Sequence, residues 1–362
     1  MDARADERFG ARSDGLGVSF TAGRAALLLV AAFSLATGIL GGLARAGWGI
    51  PLPAAAAHHG VLMIGGFLGT VISLERAVAL GHPAAFAAPL AAGAGTALLL
   101  AGVDASLWLA APVLLMALSI AVLRRQAELH TVLLLAGAAA WLTGNALHLA
   151  GASADATAKW WFAFLVLTIV AERLELARLM RPRPLARPLL IVLAGLLAAA
   201  AAADAAALYG AALAGLALWL AAFDIARRTV KTAGVSRYAA LALLGGYGWL
   251  AAAGVAWMAL PYFGPAARDA ALHALGLGFV FSMIFAHAPI VVPVVARVRL
   301  RFTPFFYAPL VLLHVSLVVR LAPAADAFAL RSWGAALNAG AVLLFALTVL
   351  WRVERRGPPA IT

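Results

Sequence analysis

The chain has 362 residues, of which 65% are hydrophobic and only 12% are charged. A soluble domain is about half apolar and about a quarter charged, so this composition excludes an ordinary soluble globular protein. Cysteine is absent, which excludes disulfides, iron–sulfur clusters and thiolate metal sites. The net charge of +12 does not indicate nucleic acid as a partner, because the basic residues lie in short loops between apolar runs.

Apolar runs of about 20 residues recur along the chain, and each is long enough to cross a hydrocarbon layer of about 30 Å. We therefore predict an all-α integral membrane protein whose main partner is the lipid bilayer. It has a tail at residues 1–24, a transmembrane domain at 25–351 and a second tail at 352–362. Twelve spans are predicted: 25–44, 57–80, 84–102, 106–123, 129–151, 159–180, 188–206, 208–226, 237–260, 270–295, 304–322 and 332–351.

The distribution of basic residues predicts the orientation of these spans. With the N-terminus inside, 22 of the 27 lysines and arginines lie on the cytoplasmic side. The other five lie outside: Arg45, Lys159, Arg268, Arg320 and Arg331. Because cytoplasmic loops of membrane proteins are enriched in lysine and arginine, we predict both termini in the cytoplasm of a bacterial inner membrane.

Spans two, six and ten share a sequence pattern. Residues 67–76 align without a gap on residues 164–173, and the same register extends to residues 279–287. The matched positions carry ionisable side chains: Glu75, Glu172 and His287. The spacing of four spans predicts three parallel four-helix pseudo-repeats. The alternative is chance similarity among apolar helices.

Four histidines are predicted to lie near the outer side of the membrane, on spans two, five and ten. Ionisable groups at membrane depth usually face a bundle interior, and neutral imidazole binds haem iron and copper. His58, His59 and His273 are therefore candidate cofactor ligands, with His148 as a further metal ligand. Adjacent residues point about 100° apart on a helix, so only one of the pair on span two can face His273. We favour His59, which is one residue deeper. The alternative is that these are interfacial histidines hydrogen-bonded to loops.

A second set of ionisable residues lies nearer the inner side. His130 and His287 are candidate metal ligands there, and His314 lies about 15 Å into span eleven at 1.5 Å per residue. Glu75 and Glu172 are candidates, with His287, for an inner polar cluster that transfers protons or binds a metal. The alternative is structural pairing with the neighbouring arginines.

Three segments carry a family resemblance. The sequences HHGVLMIGGFL at 58–68 and HALGLG at 273–278 resemble the second- and tenth-helix motifs of NnrS-type membrane proteins, and the end of span eleven at Arg320 is also similar. This resemblance implies twelve helices, haem b or copper as cofactor, and a role in respiratory or nitric-oxide metabolism or in stress protection.

The layout is also distantly similar to subunit I of the haem-copper oxidases. Those proteins place copper-binding histidines on helices six and seven. Here span six offers Glu172 and no histidine, and span seven is almost wholly aliphatic. A terminal oxidase or nitric-oxide reductase of the usual kind is therefore not expected. Two other functions stay open, namely a secondary transporter and a non-catalytic partner of a respiratory complex.

The topology is directly testable. Reporter fusions after Arg125, Arg187 and Arg301 should report cytoplasm, because they follow the predicted inner ends of spans four, six and ten. Fusions near Lys159 and Arg268 should report the outer side. Opposite readings at any two of these positions would contradict the predicted number of spans.

Overall fold

The computed structural model describes residues 3–177, 183–296, 298–322 and 327–354. The end of the predicted span 159–180 and most of the predicted C-terminal tail lie outside these residues. The structure is 87% helical, which confirms the predicted all-α class.

The helices follow one another with short connections. In chain order the α-helices are α1 (Ala3–Arg45), α2 (Pro53–Ala57), α3 (Thr70–Leu80), α4 (Ala87–Leu100), α5 (Ser106–Arg125), α6 (Leu129–Leu149), α7 (Ala154–Ala177), α8 (Ala186–Ala202), α9 (Ala206–Phe223), α10 (Ala226–Thr229), α11 (Gly234–His273), α12 (Ser282–Ala296), α13 (Tyr307–Leu321) and α14 (Ala327–Arg352). The remaining elements are two π-helical segments (Val61–Gly69 and Ala274–Phe281), two 3₁₀ turns (Pro83–Phe86 and Pro304–Phe306), and strands β1 (Arg299–Leu300) and β2 (Val353–Glu354). The two strands form an antiparallel pair.

The helix that contains the first predicted span begins at Ala3, so helical structure extends through most of the predicted N-terminal tail. The part of this helix that is long and apolar enough to cross a membrane is Gly23–Arg45, which agrees with the predicted span 25–44. Residues 3–12 are mostly alanine, arginine and glutamate, which have high helix propensity and favour this extension. The predicted boundary at residue 24 is therefore not a boundary in secondary structure.

Nine helical segments of the described chain are long and apolar enough to cross a membrane. Three features account for the difference between these nine segments and the twelve predicted spans. α8 has only 17 residues, α7 includes five charged residues, and two predicted spans lie in one helical run, Gly234–Ala296. The backbone of that run breaks at Gly264, whose φ of 50° is readily adopted by glycine. Twelve crossings therefore remain a prediction.

Three helical runs form the centre of the bundle, and we call them the central trio: Val61–Leu80, α7 and residues 274–296. The ring of Phe67 stacks on that of Phe281, with centroids 6.1 Å apart. Arg76 forms an ion pair with Glu172, and α7 packs against the second π-helical segment. Residues 161–171 of α7 are all buried. The three runs predicted to be equivalent thus contact one another, while a rotation of about 120° between them remains a prediction.

The other helices surround this trio. Most successive helices pack against each other, and α14 also packs against α1. Its outward surface carries large apolar side chains such as Leu29 (71% exposed) and Leu218 (70% exposed). Such a surface suits contact with lipid tails.

Glycine allows close packing at the first π-helical segment. A Cβ atom at Gly66 would lie 2.8 Å from Oγ of Ser34 on α1 and 3.0 Å from Cγ2 of Thr96 on α4. Glycine is needed here because the neighbouring helices leave no room for a side chain. The close approach brings the central trio against the outer layer.

The Gly66→Ala variant should therefore be destabilised. Overpacking of this kind costs about 1–3 kcal/mol, which should lower the thermal unfolding midpoint in detergent. Gly195→Ala is the matched control, because nothing lies within 4 Å of a Cβ atom at that helical glycine. Equal midpoints for the two variants would contradict the packing described.

Candidate functional site

A cavity of about 910 Å³ opens at one end of the bundle, where α1, α6 and α13 end and α7 and α14 begin. Both π-helical segments contribute to its wall, and π-helical turns occur frequently at functional sites. Much of the wall is apolar, including Ile39, Met63, Leu165, Leu272 and Phe281. The volume is near the upper end of the range of about 300–1,000 Å³ for ligand sites.

His59 lies in the wall of this cavity. Its Nδ1 atom is 2.7 Å from the carbonyl oxygen of Gly38. Because a carbonyl oxygen can only accept, Nδ1 carries the proton and donates it, and Nε2 keeps its lone pair. The His59 ring is close enough to His273, Arg45 and Arg320 for their charges to act on it. A hydrogen bond through one ring nitrogen is the usual way in which a metal-binding imidazole is oriented.

His273 also lies in the cavity wall, but both of its ring nitrogens have partners. Nδ1 is 2.9 Å from the backbone oxygen and 3.0 Å from Oδ1 of Asp269. Nη2 of Arg320 donates to Nε2 over 3.0 Å and also lies 3.2 Å from Oδ1 of Asp269. Binding of a metal by His273, as predicted, would therefore require Arg320 to leave Nε2.

The other two histidines predicted for the outer side are His58 and His148. His58 is not in the cavity wall, and its charge acts on His148. The His148 ring does line the cavity, and it packs between Trp108 and Trp161, with centroids 5.6 Å and 5.3 Å away. The adjacent residues His58 and His59 thus have different surroundings, and His59 is the one that lines the cavity together with His273.

The cavity is rich in arginine. Four of them line it: Arg45, Arg268, Arg320 and Arg331. Arg268 forms an ion pair with Asp155, and Arg320 pairs with Asp269. We did not predict these arginines as site residues. The signal was present, since all four belong to the five basic residues predicted for the outer side.

Several polar atoms of the cavity wall are buried without a hydrogen bond among the described residues. They are Thr157 Oγ1, Asp269 Oδ2, Arg320 Nε and Asn338 Oδ1. Thr157 and Asn338 are each only 2% exposed. Because buried polar atoms are normally satisfied, these atoms favour a ligand with polar groups of its own.

At the opposite end of the central trio, the structure brings the three repeat-equivalent residues together. Glu172 pairs with Arg76, which also lies 3.8 Å from Glu75. His287 is close enough to Glu75 for an electrostatic interaction. Its Nε2 atom is 3.4 Å from Nη1 of Arg173. We refer to these five residues and Asp224, which pairs with Arg173, as the inner cluster.

The other two histidines predicted as site residues, His130 and His314, lie outside the cavity wall. His130 is buried at the start of α6, about 27 Å along that helix from His148 at 1.5 Å per residue. Nδ1 of His314 accepts a hydrogen bond from Nε1 of Trp249 over 2.8 Å. In the described ranges, no group of three or more histidine, aspartate and glutamate side chains could hold a metal ion.

Comparison with known proteins gives a family and no function. No curated protein and no solved structure matches the chain. One family model, described as a domain of unknown function (DUF8744), matches residues 24–354. That match includes the cavity, the central trio and the inner cluster, so the chain belongs to the DUF8744 family.

Proposed function

We propose that the chain is a multi-pass membrane protein with twelve spans and both termini in the cytoplasm, and that it binds haem b in the outer cavity. The observation that carries this proposal is His59, whose Nδ1 is held by a backbone carbonyl while the ring lines a cavity of about 910 Å³. A neutral imidazole oriented in this way is suited to bind iron through Nε2.

The arginines support an anionic ligand. Under the proposed topology only five basic residues lie on the outer side, and four of them line this cavity. Guanidinium groups bind carboxylates through two parallel hydrogen bonds, and haem carries two propionate carboxylates. Apolar walls beside a cluster of arginines match a ligand that has an apolar ring and an acidic edge.

His59 is the histidine that would hold the haem iron, because Nε2 of His273 accepts a hydrogen bond from Arg320. The predicted pairing of His273 with a histidine of span two would require Arg320 to leave that nitrogen. A haem held by His59 would supply a site that binds a small gas. Copper is less well supported, because the described chain holds no group of three suitable ligands.

The resemblance to NnrS-type proteins gives this binding a physiological context. On that basis we propose a role in nitrogen-oxide metabolism or stress protection at the bacterial inner membrane. His59 and Arg320 connect the cavity with this resemblance. Both line the cavity, and both lie in segments that resemble NnrS-type proteins.

Transport of an organic anion is a second candidate, favoured by a separate observation. Buried aromatic rings divide the cavity from the inner cluster: Phe67 stacks on Phe281, and Phe164 stacks on Trp141. Two polar regions separated by an apolar layer are what a transporter with alternating access requires. A transporter of this kind would bind the anion at the arginines without needing His59 Nε2.

The absorption spectrum of the purified full-length chain distinguishes these functions. Wild type, expressed with haem supplied, should show a Soret band. His59→Ala should lower the haem-to-protein ratio at least about tenfold, because it removes the ligating nitrogen. His58→Ala is the matched control and should keep the band, since His58 is outside the cavity wall.

Each variant should remain monodisperse in detergent, and His59→Gln provides a second, more conservative loss of the ligand. Full haem occupancy in His59→Ala would contradict the proposal. So would a wild-type chain that neither carries haem nor binds ferric haem on titration. Uptake of an organic anion by such haem-free protein in vesicles would favour transport instead.

A further inference from the structure

The inner cluster contains two tight ion pairs. Arg173 binds Asp224 through two parallel contacts, Nε to Oδ2 at 2.6 Å and Nη2 to Oδ1 at 2.9 Å. These two side chains are 4% and 1% exposed. Arg76 binds Glu172 in the same cluster. Each arginine is thus matched with one carboxylate.

Glu75 is the carboxylate of the inner cluster that has no arginine of its own. Its nearest cation is Arg76 at 3.8 Å, and Arg76 already makes a direct hydrogen bond to Glu172. The Glu75 side chain is 35% exposed, whereas that of Glu172 is 20% exposed. Glu75 is therefore the member of the cluster with the weakest pairing and the best access from the inner end.

His287 does not supply the missing positive charge. A guanidinium group can only donate hydrogen bonds, so Nη1 of Arg173, at 3.4 Å, faces the lone pair of His287 Nε2. The other ring nitrogen bonds to the backbone of Met283. The ring is therefore neutral, and its protonation would place two positive charges side by side.

The charges in contact do not cancel. Glu75, Glu172 and Asp224 face Arg76 and Arg173, so the cluster carries one net negative charge when all three carboxylates are ionised. An uncompensated charge at membrane depth is costly and is usually neutralised by a proton or a partner. Uptake of one proton makes the cluster neutral.

Among the residues that the structure describes, other groups around the cluster do not remove this imbalance. Glu175, within reach of Arg76, adds negative charge and has a contact of its own. Arg24, on the neighbouring α1, packs over the ring of Phe86 at 5.7 Å. The hydroxyl of Tyr247 is buried against Arg173 and Asp224 and makes no hydrogen bond of normal geometry in the described structure.

We propose that Glu75 is a proton-binding site that takes up one proton from the inner side and releases it there. The carboxylate accepts the proton to become a carboxylic acid, and no other bond changes. A metal cation is not the ligand we infer, since the described residues offer no suitable group of three ligands. Glu75 lies in the last part of the Val61–Leu80 run, and His59 lies just before the start of that run.

Infrared spectroscopy of the purified full-length chain at pH 7.5 tests this directly. An ordinary glutamate is ionised at this pH, so a carboxylic-acid carbonyl band identifies a retained proton. Wild type should show the band and Glu75→Gln should lose it. Glu128→Gln is the matched control and should keep it, because Glu128 is an exposed partner of Arg187 at 3.1 Å.

A third variant separates the effect of charge balance from the effect of burial alone. Glu172→Gln frees Arg76 to pair with Glu75, so the cluster becomes neutral without a proton and the band should disappear although Glu75 is present. The proposal is overturned if wild type lacks the band, if Glu75→Gln keeps it, or if Glu172→Gln leaves it unchanged. Circular dichroism and size-exclusion chromatography establish that the variants compared are folded.

Discussion

The structure depends on two ion pairs made by arginines of the central trio. Arg173 with Asp224 is buried, and Arg76 with Glu172 is partly buried, with each side chain 20% exposed. Arg76 with Glu172 joins the first run of the trio to α7, and Arg173 with Asp224 joins α7 to the end of α9. Charges at membrane depth are tolerated when they are paired and hydrogen-bonded, whereas removing one partner of a buried pair costs about 3–5 kcal/mol. These pairs therefore fix how the central helices are aligned along the bundle.

That alignment positions the opposite end of the trio. With Glu172 beside Arg76, the two π-helical segments meet where Phe67 stacks on Phe281, and His59 and His273 enter the same cavity above them. One set of helices thus has an arginine-rich cavity at one end and a charge cluster at the other. A binding event at either end would act on the same three helices, so the proposed haem site and the proposed proton site share one scaffold.

Much of this arrangement could be predicted from the sequence, because it follows from helical spacing. The gapless register of residues 67–76 on 164–173 predicted that Glu75 and Glu172 are equivalent, and the structure brings them into one cluster. Contacts between distant segments could not be predicted in this way. Helical periodicity does not indicate that Arg320 occupies Nε2 of His273, or that Asp224 from the end of α9 pairs with Arg173. The break at Gly264 lies between the predicted spans 237–260 and 270–295, where a connection was predicted, whereas the helical structure on both sides of that glycine was not predicted.

A double-mutant cycle on Arg76 and Glu172 tests the central claim most directly. The free energy of unfolding in detergent would be measured for Glu75→Gln as the reference, and for Arg76→Gln, Glu172→Gln and the double variant in that same background, so that Glu75 cannot replace Glu172 as the partner of Arg76. If the pair aligns the trio, each single variant loses stability and the double variant loses little more, so the coupling energy is about 1–3 kcal/mol. Losses that simply add would show that the two side chains are independent, and the account of the central trio would be wrong.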